Sequence, residues 1–158
     1  MAVVLLAMGL LGCTSGPNVA ATAPHSTVSR DNALALAKHV AKSIGGKVYA
    51  IAPSGSMLPT LDADSIVAVE NVSLDKLRRG DIIIYRNGSG MVVIHRLYEQ
   101  HADRWYVLGD NNASIDREMV SADNFIGRVC AIFNTVSDAA RFSDATSRAT
   151  QSAVASAR

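Results

Sequence analysis

The hydrophobic pattern changes character three times along the chain. Residues 1–12 are almost wholly apolar and too few to cross a bilayer as a helix, which takes about 20 residues. Further on, Leu34, Leu36, Ala37, Val40, Ala41 and Ile44 recur at helical spacing, with Asp31 placed to cap that helix and Gly45-Gly46 to end it. From Lys47 the period shortens. Apolar runs at 48–52, 65–70, 81–86, 91–99, 104–108 and 126–133 alternate with Gly, Asn and Asp, which is the pattern of strands. Asn87-Gly88-Ser89-Gly90 between two β-branched runs predicts a hairpin, because Asn and Gly accept positive φ. The expected body is therefore mainly antiparallel β with one N-terminal helix. After Phe133 large apolar residues become scarce, so 137–158 is expected to be a polar tail, a frayed helix or a disordered stretch without a membrane span.

Composition narrows the function classes. A chain of 158 residues with 49% hydrophobic content builds one compact domain, placed here at 31–136, with short extensions. Lys and Arg total 15 against 14 Asp and Glu, and neither sign forms a run, so no nucleic-acid partner is expected and nothing bears on oligomeric state. Two cysteines, Cys13 and Cys130, are too few for a disulfide framework or a cysteine-rich metal site, and no cofactor or metal is expected. Cys130, in an apolar run, reads as a buried filler. Leu10-Leu11-Gly12-Cys13 resembles the bacterial lipobox, which makes Cys13 a candidate lipidation site and 1–13 a lipoprotein-like signal segment. The segment lacks the basic residues of a secretory n-region, which leaves an ordinary membrane anchor, or a start further upstream, as alternatives. Residues 14–30, rich in Ser, Thr, Ala and Pro, read as a flexible tether. The expected location is the extracytoplasmic face, with the membrane held through the N-terminal segment.

The most specific stretch is Pro53-Ser54-Gly55-Ser56-Met57-Leu58-Pro59-Thr60-Leu61, directly after a strand run. A serine hydroxyl is a poor nucleophile unless a base lies within hydrogen-bond reach and the hydroxyl is held in a fixed orientation. Gly55 permits close backbone approach, and Pro59 holds Leu58 extended, so Ser56 projects from a stiff turn. Further boxes follow: Arg79-Gly80-Asp81-Ile82, Ile94-His95-Arg96, Gly109-Asp110-Asn111-Asn112, Asp116-Arg117 and Gly127-Arg128-Val129. Together, in this order, they resemble the type I signal peptidases, whose fold is shared with the self-cleaving phage-repressor and SOS-repressor peptidases (the S24/S26 type).

The resemblance implies a signal-peptidase-like antiparallel β-fold and a serine endopeptidase with Ser56 as nucleophile. It implies an oxyanion hole made from the Ser56 amide and the Ser54 hydroxyl. Most bacterial members use a lysine base on the strand after the hairpin, but this chain has no lysine after Lys76, which sits in a polar stretch. His95 stands in that place instead, as in the endoplasmic-reticulum and archaeal-type enzymes. Histidine suits the role because its ordinary pKa of about 6.5 lets it take and return a proton near neutrality. Strand alternation puts Val93, His95 and Leu97 on one face and Ile94 and Arg96 on the other. Asp110 and Asp116 compete to orient the imidazole, and the resemblance favours Asp116, with Asp110 supporting the loop. His25, His39 and His101 read as tether, helix and turn residues, and Asp81 as a turn residue. Only residues 96–108 separate the base from the Gly-Asp-Asn box, so the larger insertion of many bacterial members is missing.

Three activities fit this pattern. The first is a membrane-tethered endopeptidase that takes an extended polypeptide by strand addition and cuts exported or membrane-associated preproteins after small residues. The second is a self-processing or partner-specific pro-protein peptidase. The third is a non-catalytic, lipoprotein-like peptide-binding module, disfavoured because a pure binder has no need of Ser56, His95 and Asp116 in catalytic order.

Overall fold

In the computed structural model, which describes residues 26–136, the helical segment is Arg30–Ser43 (α1). The segment reading as a lipobox with Cys13, most of the tether and the 137–158 tail lie outside the described residues. Ser29, rather than Asp31, caps α1: its side chain accepts the Asn32 amide, while Asp31 sits in the first turn, where its charge complements the helix dipole. The helix ends as the Gly46 and Gly45 amides fold back onto the carbonyls of Ala41 and Lys42.

The face that α1 buries differs from the one its large side chains suggest. Ala33, Ala37 and Ala41, spaced by four, are buried, whereas Leu36 and Ile44 are exposed. Small residues let the helix axis come close to the sheet, where Ile66, Val48 and Phe133 pack against Ala33 and Ala37. Leu36 and Ile44 are left on the flank, while Leu34 packs at the edge of this contact.

Six strands follow: β1 Lys47–Ala50, β2 Ile66–Glu70, β3 Ile82–Arg86, β4 Val92–His101, β5 Arg104–Leu108 and β6 Phe125–Phe133. They form one sheet in the order β1-β2-β6-β3-β4-β5, with every neighbouring pair antiparallel. The sheet is mainly what the alternation predicts. One difference is that β4 runs two residues further, to His101, which pairs with Arg104, so the turn into β5 is shorter than the runs predict.

Both faces of the sheet are covered, which explains why β2 and β3 read as continuous apolar runs. On one face Ile83, Tyr85, Leu97, Trp105, Val107 and Val120 cluster. On the other, Met57, Leu61, Val67, Val69, Ile82 and Ile84 do so. Met57 and Leu61 anchor the Ser56 turn to this second cluster. Cys130 departs from its expected burial: it is exposed. Ala68 pairs with Ala131 but Val69 with Val129, so Cys130 is the extra residue of a β-bulge and turns outward, its thiol reaching the Ala68 carbonyl.

Two edges matter for function. β5 covers β4 only from Arg96 onward, and no described strand pairs with residues 92–95 on the side away from β3. The long connections at 51–65 and 109–124 both reach this stretch, through Ser56 and Asp116 beside His95. Because α1 meets the sheet through a buried alanine stripe, Ala37→Leu overpacks that contact and is expected to cost about 1–3 kcal/mol. The measurement is the urea-unfolding midpoint, with Leu36→Ala on the exposed flank changing it little.

Candidate active site

Ser56 sits in a run of tight turns after β1. Gly55 supplies a positive φ of 71° there, and a methyl group at Gly55 would meet nothing closer than Leu58 at 3.6 Å. Left-handed backbone, not close approach, is therefore what this glycine provides. The Leu61 amide donates to the Met57 carbonyl, the Leu58 amide to Gly55, and the Leu58–Pro59 peptide is cis.

Close approach belongs instead to Gly109. A Cβ at Gly109 would fall 2.7 Å from the Ser56 carbonyl oxygen. The 109–112 segment clasps the Ser56 turn: the Asn111 amide donates to Ser56 O (2.8 Å) and its side-chain amide to Gly55 O (3.1 Å). The same loop is tied to β5 through the Asp116 amide, which donates to Val107 O, and through reciprocal Trp105–Val120 backbone hydrogen bonds.

These ties bring Ser56, His95 and Asp116 together. His95, 6% exposed, lies opposite Ile83 on β3. Its Nδ1 is 2.6 Å from Asp116 Oδ2, and its Nε2 is 3.1 Å from Ser56 Oγ. An ionised carboxylate only accepts, so Nδ1 carries the proton and Nε2 is left to accept from the serine hydroxyl. Ser54 is adjacent as well: its Oγ is 3.2 Å from Ser56 Oγ and accepts the Ser56 amide at 3.4 Å.

Asp110 goes elsewhere. Arg96 grips it with both arms, Nε to Oδ1 at 2.7 Å and Nη2 to Oδ2 at 2.6 Å, and the Thr60 hydroxyl donates to Oδ2 at 2.5 Å. Burial alone would raise the Asp110 carboxyl, but hydrogen bonds from Arg96 and Thr60, with the guanidinium charge, outweigh it and hold the group below the usual carboxylate range. Of the two acids left open by the sequence, Asp116 faces the imidazole and Asp110 braces the turn. Arg117 is exposed and makes no ion pair among the described residues. Asp81 accepts the Arg78 amide and lies 3.5 Å from Arg128, which also pairs with Glu70.

Tyr85 was not singled out from the sequence. Its hydroxyl donates to Asp116 Oδ2, the oxygen facing His95. The only trace in the sequence is a phenol closing the isoleucine run of β3, and its meaning depends on strand register. Lys76 is solvent-exposed and its nearest acid is Asp75 at 3.7 Å. His39 is exposed on α1 and His101 exposed at the end of β4, so neither joins the site. A cleft of about 500 Å³ opens beside Ser56 and His95, walled by Tyr49, Ile51, Met57, Ile84, Val92 and Ile94.

Asp110 is depressed in the folded state, so its ion pair contributes fully above about pH 4, the ordinary carboxylate value, and is lost as pH falls through the lower folded value. Asp110→Asn is expected to cost about 1.5–3 kcal/mol at neutral pH, toward the low end because Arg96 is 35% exposed. Urea unfolding at pH 7 and pH 3 checks this, since the gap between variant and parent narrows in acid.

A family model described as Peptidase S24-like matches residues 14–130. Among characterised proteins, signal peptidase I W of Bacillus subtilis (strain 168) is 32% identical over 76 residues, 45% of this chain and 40% of that protein. The chain thus matches less than half of that relative's length. Ser56, His95 and Asp116 all fall inside the matched span of 14–130 in a chain of 158 residues, and the chain belongs to the Peptidase S24-like family.

Proposed function

We propose that this chain is a serine endopeptidase of the Ser–His branch, related to the endoplasmic-reticulum and archaeal-type signal peptidases, with Ser56 as nucleophile, His95 as base and Asp116 as the acid that orients it. The observation that carries this is the continuous hydrogen-bond line from Ser56 Oγ through His95 to Asp116, with separations of 3.1 and 2.6 Å. A histidine base is favoured over lysine because no lysine follows Lys76 and Lys76 itself is solvated. A binding module without chemistry has no use for a hydroxyl held 3.1 Å from an imidazole nitrogen.

The steps follow from these positions. Ser56 Oγ bonds to the scissile carbonyl carbon while its proton passes to His95 Nε2. The imidazolium is stabilised by Asp116. The carbonyl oxygen, now negative, accepts from the Ser56 amide and the Ser54 hydroxyl, which lie together at the mouth of the cleft. As the carbon–nitrogen bond breaks, the proton moves from Nε2 to the departing amine, leaving an ester on Ser56. Water then gives a proton to Nε2, attacks the ester carbonyl, and the proton returns to Ser56 Oγ.

The substrate in this proposal is an extended polypeptide of the exported or membrane-associated kind. The unpaired edge of β4 at residues 92–95 offers backbone groups for an added strand, and the apolar cleft beside it takes small side chains ahead of the scissile bond. The proposal also tethers the domain at the extracytoplasmic face of the membrane through residues 1–13, with Cys13 as the acylated residue. No helix among the described residues is long and apolar enough to cross a membrane.

Incubating the full chain with a panel of signal-peptide-like substrates, and mapping products by mass spectrometry, tests this. Ser56→Ala and His95→Ala are each expected to lower kcat/KM by roughly 10⁵- to 10⁶-fold. Ser54→Ala is expected to lower kcat by about 10²- to 10³-fold. Alanine variants at 56 and 95 that cleave as fast as the parent would refute the mechanism.

A further inference from the structure

We propose that Tyr85 is a positioning residue for the His95–Asp116 pair: its hydroxyl fixes the Asp116 carboxylate and tempers that carboxylate's hold on the imidazole proton. The role rests on the peptidase proposal above.

Strand register creates the contact. Ile83 stands opposite His95 and Val93 opposite Tyr85, so Tyr85 and His95 share one face of the β3–β4 ladder as diagonal neighbours. Their ring centroids are 6.5 Å apart. Tyr85 is 2% exposed, and its ring belongs to the cluster with Leu97, Trp105 and Val107, which gives the hydroxyl a fixed direction. That hydroxyl and His95 Nδ1, on two neighbouring strands, converge on one oxygen, Asp116 Oδ2. Asp116 itself hangs on a loop, so without the phenol only the imidazole and the loop backbone would set its orientation.

Tyr85 keeps its proton throughout the working pH range. Burial first, then the hydrogen bond and charge of Asp116 and the charge of Glu118, push the phenol far above its ordinary value. It is thus a permanent neutral donor that cannot take a proton from the pair. A hydrogen bond into Oδ2 draws charge density from the atom that holds Nδ1–H, so the imidazolium is bound less tightly and returns its proton to the leaving amine more readily. The charged and titratable groups around the pair are Tyr85 from β3, Asp116 and Glu118 from the 109–124 connection, and Asp110 with its Arg96 partner.

Tyr85→Phe keeps the ring in the core and deletes only the donor. In the full chain it is expected to lower kcat about tenfold with KM within about twofold of the parent. The acid limb of the kcat/KM profile moves to higher pH, because a carboxylate free of the phenol holds the imidazole proton more strongly. The low-field NMR resonance of His95 Nδ1–H shifts for the same reason. In an Asp116→Asn background Tyr85→Phe has little further effect, since the two act as one unit. A Phe variant whose acid limb and Nδ1–H resonance match the parent overturns the proposal, whether or not kcat has fallen, because a packing defect alone moves neither. Hydrolysis equal in the parent and Ser56→Ala instead brings down the peptidase proposal, while the resonance still reports whether the phenol acts on the pair.

Discussion

Two consecutive residues of one strand hold the site together, and the Arg96–Asp110 ion pair is the one on which the rest depends. His95 and Arg96 project to opposite sides of β4, yet each bridges the same two irregular segments. His95 joins Ser56 of the 51–65 connection to Asp116 of the 109–124 connection. Arg96 joins Thr60 of the first connection to Asp110 of the second, and its guanidinium also donates to Gly80 O. Loops carry chemistry poorly unless a rigid element fixes them. Here the rigid element is β4, and the bidentate guanidinium–carboxylate geometry lets one side chain set both the distance and the plane of its partner.

Burial makes this arrangement consequential. His95 lies at the margin of an apolar cluster, where a misplaced polar group is costly and a well-placed one interacts strongly. Each acid near His95 is therefore satisfied by more than one donor: Asp110 by Arg96 and Thr60, Asp116 by His95 and Tyr85. The opposite side of the sheet supports the Ser56 turn apolarly, through Met57 and Leu61 packed on Val67 and Ile84. Close contact between Gly109 and the Ser56 carbonyl completes the clasp, which leaves the 92–95 edge as the open approach to Ser56.

Elements were legible in the sequence where period and chemistry agreed. The strands after Lys47 and the Asn87 hairpin followed alternation and turn residues, and the Asn87 side chain indeed accepts the Ser89 and Met91 amides. Errors arose where tertiary packing chose among equally good local options. Helical spacing could not say that the alanines, rather than Leu36, face the sheet, because closeness of approach is set by the partner surface. The apolar neighbours of Cys130 favour a buried side chain, but a one-residue bulge against β2 turns it outward. Gly55 serves through its positive φ and not through close approach, which falls to Gly109.

By itself the sequence determined the fold class and the order of the boxes, and it offered a histidine at 95 with no lysine after Lys76, since these depend on residue type and spacing alone. Which aspartate faces the imidazole, what Arg96 and Thr60 do, and that Tyr85 touches Asp116 were decided only by the tertiary structure. The physical reason is register: Ser56, Tyr85, His95 and Asp116 are far apart along the chain, and the pairing of Ile83 with His95, the anchoring of the Asp116 amide on Val107 and the hold of Asn111 and the Arg96–Asp110 pair on the Ser56 turn bring their polar atoms within hydrogen-bond range.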